Sequence, residues 1–249
     1  MIRWAKKRLW RLIGMRGHGD YIRAFVESGE CRTGLDVGCG HSSVLTAFRP
    51  NFRTVGLDAF EAAINEARAR SQHDDYILAD ILKVEPETIL AWAGGQPFDL
   101  VTLIDVIEHF PKRQGFELLE RCERLSRKYV ILVTPNGFLA QGPEHGNPYQ
   151  RHLSGWFGHD FEGLGYTVRG MMGTRFLRGY GALPRYNFPG AIKCDWVLAW
   201  LLRAEKNYRR AFSLLAIKDV RGVPARLDGG FGGRRGKPYE LPFPPCGPA

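Results

Sequence analysis

No stretch of this 249-residue chain approaches the ~20 consecutive apolar residues that a bilayer-spanning helix needs. The longest apolar run, "WVLAWLL" at 196–202, is flanked by charge and reads as a buried or interfacial helix. Cysteine is also scarce. Five are present, at positions 31, 39, 122, 194 and 246, an odd number with no CxxC spacing. That pattern excludes a disulfide framework and a cysteine-ligated metal, and it predicts reduced thiols in a cytoplasmic protein with no metal. Acids are missing from the first 16 residues, which hold six Lys/Arg. This basic start has no apolar core region and no small-residue cleavage site, so a secretory signal is not expected.

The +9 net charge lies wholly at the two ends, 1–16 and 221–249. Residues 17–220 balance 24 basic against 24 acidic side chains, so the body of the chain lacks the basic surface a nucleic-acid partner requires. With 44% hydrophobic and 24% charged residues, it has the composition of a globular domain. No internal repeat is visible.

What is there is alternation. Strand-like runs occur at 33–37, 53–58, 76–80, 98–105, 129–135, 166–171 and 212–220. Helical patterns fall near 20–28, 42–48, 60–71, 86–93, 114–126, 154–164 and 193–210. Strands apolar on both faces, alternating with helices, predict an α/β fold with a mostly parallel sheet covered on both sides. Residues 2–13, "IRWAKKRLWRLI", form an amphipathic pattern with Ile2, Ala5, Leu9, Leu12 and Ile13 on one face. Such a helix either docks on the domain or lies on an anionic membrane surface, where Trp with Lys/Arg is favoured. The Gly- and Pro-rich tail predicts disorder over 221–249.

The first strand ends in "LDVGCG". Gly38 and Gly40 let a ligand lie on the backbone, at the carboxyl edge where open α/β sheets bind ligands. The dinucleotide fingerprint GxGxxG fails because its third position is Ser43. A carboxylate at Asp36 would repel a pyrophosphate but suits a ligand carrying a cationic amine. Asp58, 18 residues after Gly40, ends the second strand and can accept two ribose hydroxyls. Asp80 ends the third strand. The fourth closes on "LIDVIEHF".

This ordered set resembles the class I S-adenosylmethionine (SAM)-dependent methyltransferases, strongly over 31–135 and loosely over 136–220. The resemblance implies a Rossmann-like seven-stranded sheet with an antiparallel last strand. It also implies a helical extension at 1–30, a methyltransferase domain at 31–220 and an acceptor lid near 136–160. Carried over by motif, Asp36, Gly38, Cys39 and Gly40 hold the methionine end of SAM or orient its loop. Asp58 and Ala59 meet the ribose, and Asp80 and Ile81 border adenine. Leu103, Ile104 and Asp105 lie beside the sulfonium. One departure from the family pattern is Ser42, where many members have glycine.

Methyl transfer to a hydroxyl needs a proton acceptor, and His109, after the fourth strand, is the candidate alongside Asp105. His109 could instead pack its loop. Glu108 with His109 offers two ligands of a cation site, but no second cluster of metal-ligating residues is visible in the sequence. The segment 144–156 supplies His145, Tyr149, Arg151 and His152 as acceptor-binding candidates. The alternative for this segment is a turn at Asn147–Pro148, an Arg151 ion pair and a core Trp156. The same stretch is similar to methyltransferases linked to surface-polysaccharide synthesis.

The expected function is therefore methylation of a hydroxyl on a glycan or lipid-linked precursor. A quinone-like or other small hydrophobic acceptor, favoured by the aromatic content of 176–202, is the alternative within the same chemistry. A non-catalytic SAM-binding partner subunit is the alternative outside it. The presence of Asp36, Asp58 and Asp80 weighs against that last reading. Localisation is expected in the cytoplasm, with possible peripheral contact at the inner membrane face through residues 1–16.

Overall fold

The aliphatic and β-branched runs become seven strands, and the polar, turn-rich segments between them become helices and loops. The computed structural model describes residues 17–143, 146–179, 183–186 and 188–222. The amphipathic 2–13 stretch, His145 and the tail beyond 222 lie outside the described residues. The strands are β1 (Thr33–Val37), β2 (Arg53–Asp58), β3 (Asp75–Leu78), β4 (Phe98–Ile104), β5 (Ser126–Pro135), β6 (Thr167–Thr174) and β7 (Ala211–Asp219). They form one sheet in the order β3-β2-β1-β4-β5-β7-β6. β7 runs antiparallel to both neighbours, and the pairs among β1 to β5 are parallel. The expected sheet, with its antiparallel last strand, is therefore the observed one.

Period-2 alternation divides the core between the two sheet faces. On β5, Val130 and Leu132 join one cluster, while Tyr129, Ile131 and Val133 join the other. The first cluster is closed by α3 (Pro86–Trp92), α4 (Lys112–Leu125) and α5 (Gly158–Glu162). The second is closed by α1 (His18–Glu27), through Tyr21, Ile22 and Phe25. α2 (Glu61–Ala69) packs on β2 and β3. α4 shows why a helix forms where it does. Its buried residues Gly115, Leu118, Leu119, Cys122 and Leu125 recur at three- and four-residue spacing, with charge on the opposite face. Each leucine buried there contributes ~1.5–3 kcal/mol.

Three expected helices are shorter than their patterns. The 42–48 stretch is a 3-10 turn, Val44–Phe48, that stops before Pro50, because a residue preceding proline favours extended backbone. Only Gly158–Glu162 of 154–164 is helical. Residues before it stay extended so that Trp156 bridges to Asn136 and Gly137. α6 (Ala191–Leu201) ends because Arg203 adopts φ 50° and the Ala204 N–H donates to the Ala199 carbonyl. α6 is tied to β6 by the buried Asp195. Its carboxylate accepts from the Thr174 N–H and hydroxyl at 2.8 Å each and from Arg178 Nε at 2.5 Å.

Candidate active site at the carboxyl edge of the sheet

The sheet order sets the site. Because β3, β2, β1 and β4 are neighbours, their carboxyl ends line up Asp80, Asp58, the 38–40 loop and Asp105 along one edge. Four strands at ~4.8 Å spacing give an edge ~15 Å long, the reach of a nucleoside joined to an amino acid. The order reverses between β1 and β4, the switch point at which such sheets bind ligands.

The loop after β1 is folded back on β2. Gly38 and Cys39 N–H groups donate to the Leu57 carbonyl at 2.7 and 3.1 Å. Gly38 and Gly40 both adopt left-handed backbone, φ 66° and 53°. A Cβ on Gly38 would come within 2.6 Å of a Val106 methyl, whereas one on Gly40 would meet nothing within 4 Å. The backbone at Gly40 is thus open on the side where a ligand approaches. Cys39 differs: its side chain is buried against Gly56, so it offers only backbone to a ligand.

Asp58 anchors the next stretch. One carboxylate oxygen accepts the Gly40 N–H at 3.0 Å and the other the Phe60 N–H at 2.8 Å. Each oxygen keeps a second lone pair, which fits a pair of ribose hydroxyls. Ala59 beside it is partly exposed.

Asp36 lies on the far side of the loop from solvent. It accepts Ser43 Oγ at 2.5 Å and Thr102 Oγ1 at 2.6 Å, and His73 Nε2 is 3.7 Å away. Burial raises the Asp36 carboxyl, opposed by His73 and the two hydroxyls, and burial lowers His73. Ser43 in turn caps the Leu45 N–H. Of the two roles open to Asp36, the geometry therefore matches orientation of the loop. The sequence pattern gives His73 and Thr102 no role, and marks Ser43 only as the break in GxGxxG. The one available signal was a threonine inside the otherwise aliphatic "LVTLI".

Asp80 accepts the Leu82 N–H at 3.0 Å and pairs with Lys83 at 3.1 Å. The Ile81 side chain belongs to the core, so any contact of Ile81 with adenine is through its backbone. Leu103 is fully buried, and Ile104 packs against the α1-side core.

The end of β4 carries the strongest electrostatics. Asp105 adopts φ 53°, rare for a non-glycine residue, and its N–H donates to the Val133 carbonyl at 2.9 Å. Solvent reaches its carboxyl, but protein surrounds it on most sides, and that desolvation raises it to about 6. Glu108 is 2% exposed. Burial first, then the Asp105 charge, raises it to about 8. One of its oxygens accepts Thr134 Oγ1 at 2.9 Å, and the other has no hydrogen-bond partner. Burial, reinforced by His152, lowers His109.

The lid is stitched to this end. Leu153 and Ser154 N–H groups donate to the Glu108 carbonyl at 2.8 and 3.1 Å. The His152 N–H donates to the Gln141 carbonyl. His109 and His152 meet edge to face, with ring centroids 4.8 Å apart. His152, 43 residues further along the chain, is thus brought to the Glu108–His109 pair that the sequence left alone. Tyr149 is half exposed and stands near Lys83. Arg151 is exposed, turns its carbonyl to His109 Nδ1 at 3.2 Å, and pairs with no acid among the described residues. Trp156 is core: it stacks on Phe161 and donates to Ser154 Oγ at 2.8 Å.

With this geometry in place, the match to known proteins is specific. Residues 35–139 match the family model described as a methyltransferase domain. Residues 35–139 thus carry a methyltransferase domain, and the seven-stranded sheet has the Rossmann-like fold of the class I SAM-dependent methyltransferases. The chain is an enzyme of that type, and SAM is its cofactor. Among solved structures, the plantazolicin methyltransferase BpumL, in complex with a monoazolic desmethylPZN analog and S-adenosylhomocysteine (SAH), is 16% identical. That match covers 81% of each chain at a TM-score of 0.51. A SAM dependent methyltransferase from Archaeoglobus fulgidus is 17% identical over 83% of this chain and 96% of its own, at 0.48. The N-methyltransferase NodS from Bradyrhizobium japonicum WM9, in complex with SAH, is 15% identical over 81% and 84%, at 0.49. No curated protein matches the chain.

Proposed function

We propose that the methyltransferase domain transfers the SAM methyl group to a hydroxyl of a glycan or lipid-linked precursor. The observation carrying this reading is the polar wall beyond β4: Asp105, Glu108, His109 and His152 gather at one end of the SAM edge. Hydrogen-bonding groups of this kind suit an oxygen-rich acceptor, because a site built from them leaves polar atoms unpaired against an apolar one. Exposed Tyr149 and Phe138 lie within the lid and offer faces on which a sugar ring can stack. A lipid-linked acceptor also agrees with the basic, Trp-containing residues 1–16, proposed as a contact with an anionic membrane surface.

A quinone-like acceptor is favoured by a different observation. Phe176, Leu183, Phe188, Ile192, Trp200 and Leu201 are all exposed on the β6–α6 side. The two readings separate in one assay. The enzyme is supplied with methyl-labelled SAM and with glycan, lipid-linked glycan and quinone fractions in parallel. Alkali-stable label in the glycan or lipid-linked fraction supports the proposal. Label confined to the quinone fraction refutes it.

A further inference from the structure

We propose that Glu108, His109 and His152 form a binding site for one divalent first-row transition-metal ion at the acceptor end of the methyltransferase domain. One ligand-capable atom from each residue lies within 4.8 Å of the others. Two imidazoles and one carboxylate on three corners, with other positions open, are a donor set suited to Mn2+, Fe2+, Co2+ or Zn2+.

Four features show that the cluster is built rather than accidental. The first is Glu108, which is 2% exposed and has a carboxylate oxygen with no hydrogen-bond partner. A buried polar oxygen left unmatched is costly in either protonation state, and a bound cation, displacing the proton, would remove that cost. The second is orientation. His109 Nδ1 lies 3.2 Å from the Arg151 carbonyl and His152 Nδ1 lies 2.7 Å from the Leu139 carbonyl. A carbonyl can only accept, so each neutral ring that donates from Nδ1 has its acceptor nitrogen at Nε2; the Asp105 and Gln150 backbones also bond the His109 ring. Metal-binding histidines are held in the same way, by a carbonyl on the second nitrogen. The third is the Thr134 hydroxyl, which fixes the other oxygen of Glu108 at 2.9 Å. The fourth is charge. The Asp105 charge acts on Glu108, so a cation bound there would meet two acids.

Ligand atoms on one ion with ~2.1 Å bonds stand about 3 Å apart, so closure from 4.8 Å needs a lid shift of under about 2 Å. The lid already hangs from the Glu108 carbonyl through Leu153 and Ser154, so metal binding would fix the lid and complete the acceptor end together.

The chemistry rests on the hydroxyl reading above. An ion held by Glu108, His109 and His152 would acidify an acceptor hydroxyl bound at an open position, which would pass its proton to water. Its oxygen lone pair forms the new C–O bond with the SAM methyl as the C–S bond breaks. The sulfur keeps the electron pair, giving neutral SAH. His109, a base candidate by sequence, acts here as a ligand.

The test is calorimetric titration of the full-length, chelator-treated protein with Mn2+ and, separately, Zn2+, with no acceptor present. At least one ion should bind one per chain. His152→Ala and Glu108→Gln should each weaken that binding at least tenfold, with SAH affinity unchanged as the check that the fold is intact. If Glu108→Gln does not fold, His152→Ala decides. Binding of neither ion, or unchanged affinity in a folded variant, overturns the site. Because no acceptor is used, this result is independent of the labelled-fraction assay.

Discussion

At the scale of single residues, the site depends on what is missing at Gly38 and Gly40 and on what Asp58 holds. Gly38 combines φ 66° with a methyl of Val106 where its Cβ would stand. Gly38→Ala should therefore destabilise the protein by ~1–3 kcal/mol, seen as a lowered melting temperature, and weaken SAH binding as the loop shifts. Gly40→Ala has the backbone penalty without the clash, so it should lose less stability and lose affinity mainly through ligand contact. Equal melting temperatures for the wild type and Gly38→Ala would mean the loop is not packed as described. Thr102→Val tests the buried acid. It removes a 2.6 Å donor from Asp36 at nearly constant volume and should cost ~1–3 kcal/mol in chemical denaturation.

At the scale of elements, α4 and the lid are locked around Trp156. A Cβ on Gly115 would fall 2.3 Å from the Trp156 ring, so helix and ring interlock at a point where no side chain fits. Lys112 Nζ lies 3.7 Å above the same ring and also bonds Asp160 at 2.6 Å. Trp156→Ala should cost ~3–5 kcal/mol and release the lid from α4, measurable as faster amide exchange over 146–157. The edge of the sheet opposite the site has its own lock. Asp99 accepts the Arg32 and Thr33 N–H groups and pairs with Arg127 at 2.8 Å and Lys128 at 2.9 Å. Burial alone would raise this carboxyl. The donors outweigh burial and hold it well below the usual carboxylate range. A depressed folded-state pKa adds stability above the unfolded value of ~3.9 and loses it as pH falls below that. Asp99→Asn should thus melt lower than wild type at pH 7, with the gap closing below about pH 4. A gap that stays constant would contradict this sign.

Strand positions were legible in the sequence because short continuous aliphatic runs, apolar on both faces and alternating with helical patterns, have few alternatives. Asp36, Asp58, Asp80 and Asp105 were legible because each closes such a run. The extended stretch before α5 and the end of α6 were not. There the backbone follows Trp156 into its pocket and Arg203 into left-handed geometry, which are tertiary choices that local pattern does not encode. The meeting of His152 with His109 was hidden for the same reason, since it depends on how the lid folds back on Glu108.

At the scale of the whole molecule, charge and function are separated. The balanced body carries the candidate site, and the basic ends carry all of the net +9. Among the described residues no helix is long and apolar enough to cross a membrane. If residues 1–16 hold the protein at an anionic surface, six basic side chains at ~1 kcal/mol each give loose, salt-sensitive binding. The full chain should sediment with anionic vesicles at low salt and be released at high salt. Replacing the six Lys/Arg of 1–16 with Gln should abolish sedimentation, and unchanged sedimentation would remove the proposed contact. The central claim is that SAM lies along β1 to β4 with its ribose on Asp58. The most direct test is calorimetric titration of SAH into wild type and Asp58→Ala. The hydrogen bonds lost, at ~1.5–3 kcal/mol for a charged partner, predict affinity weakened at least tenfold in a variant that stays folded. The same SAH affinity in both proteins would contradict the account.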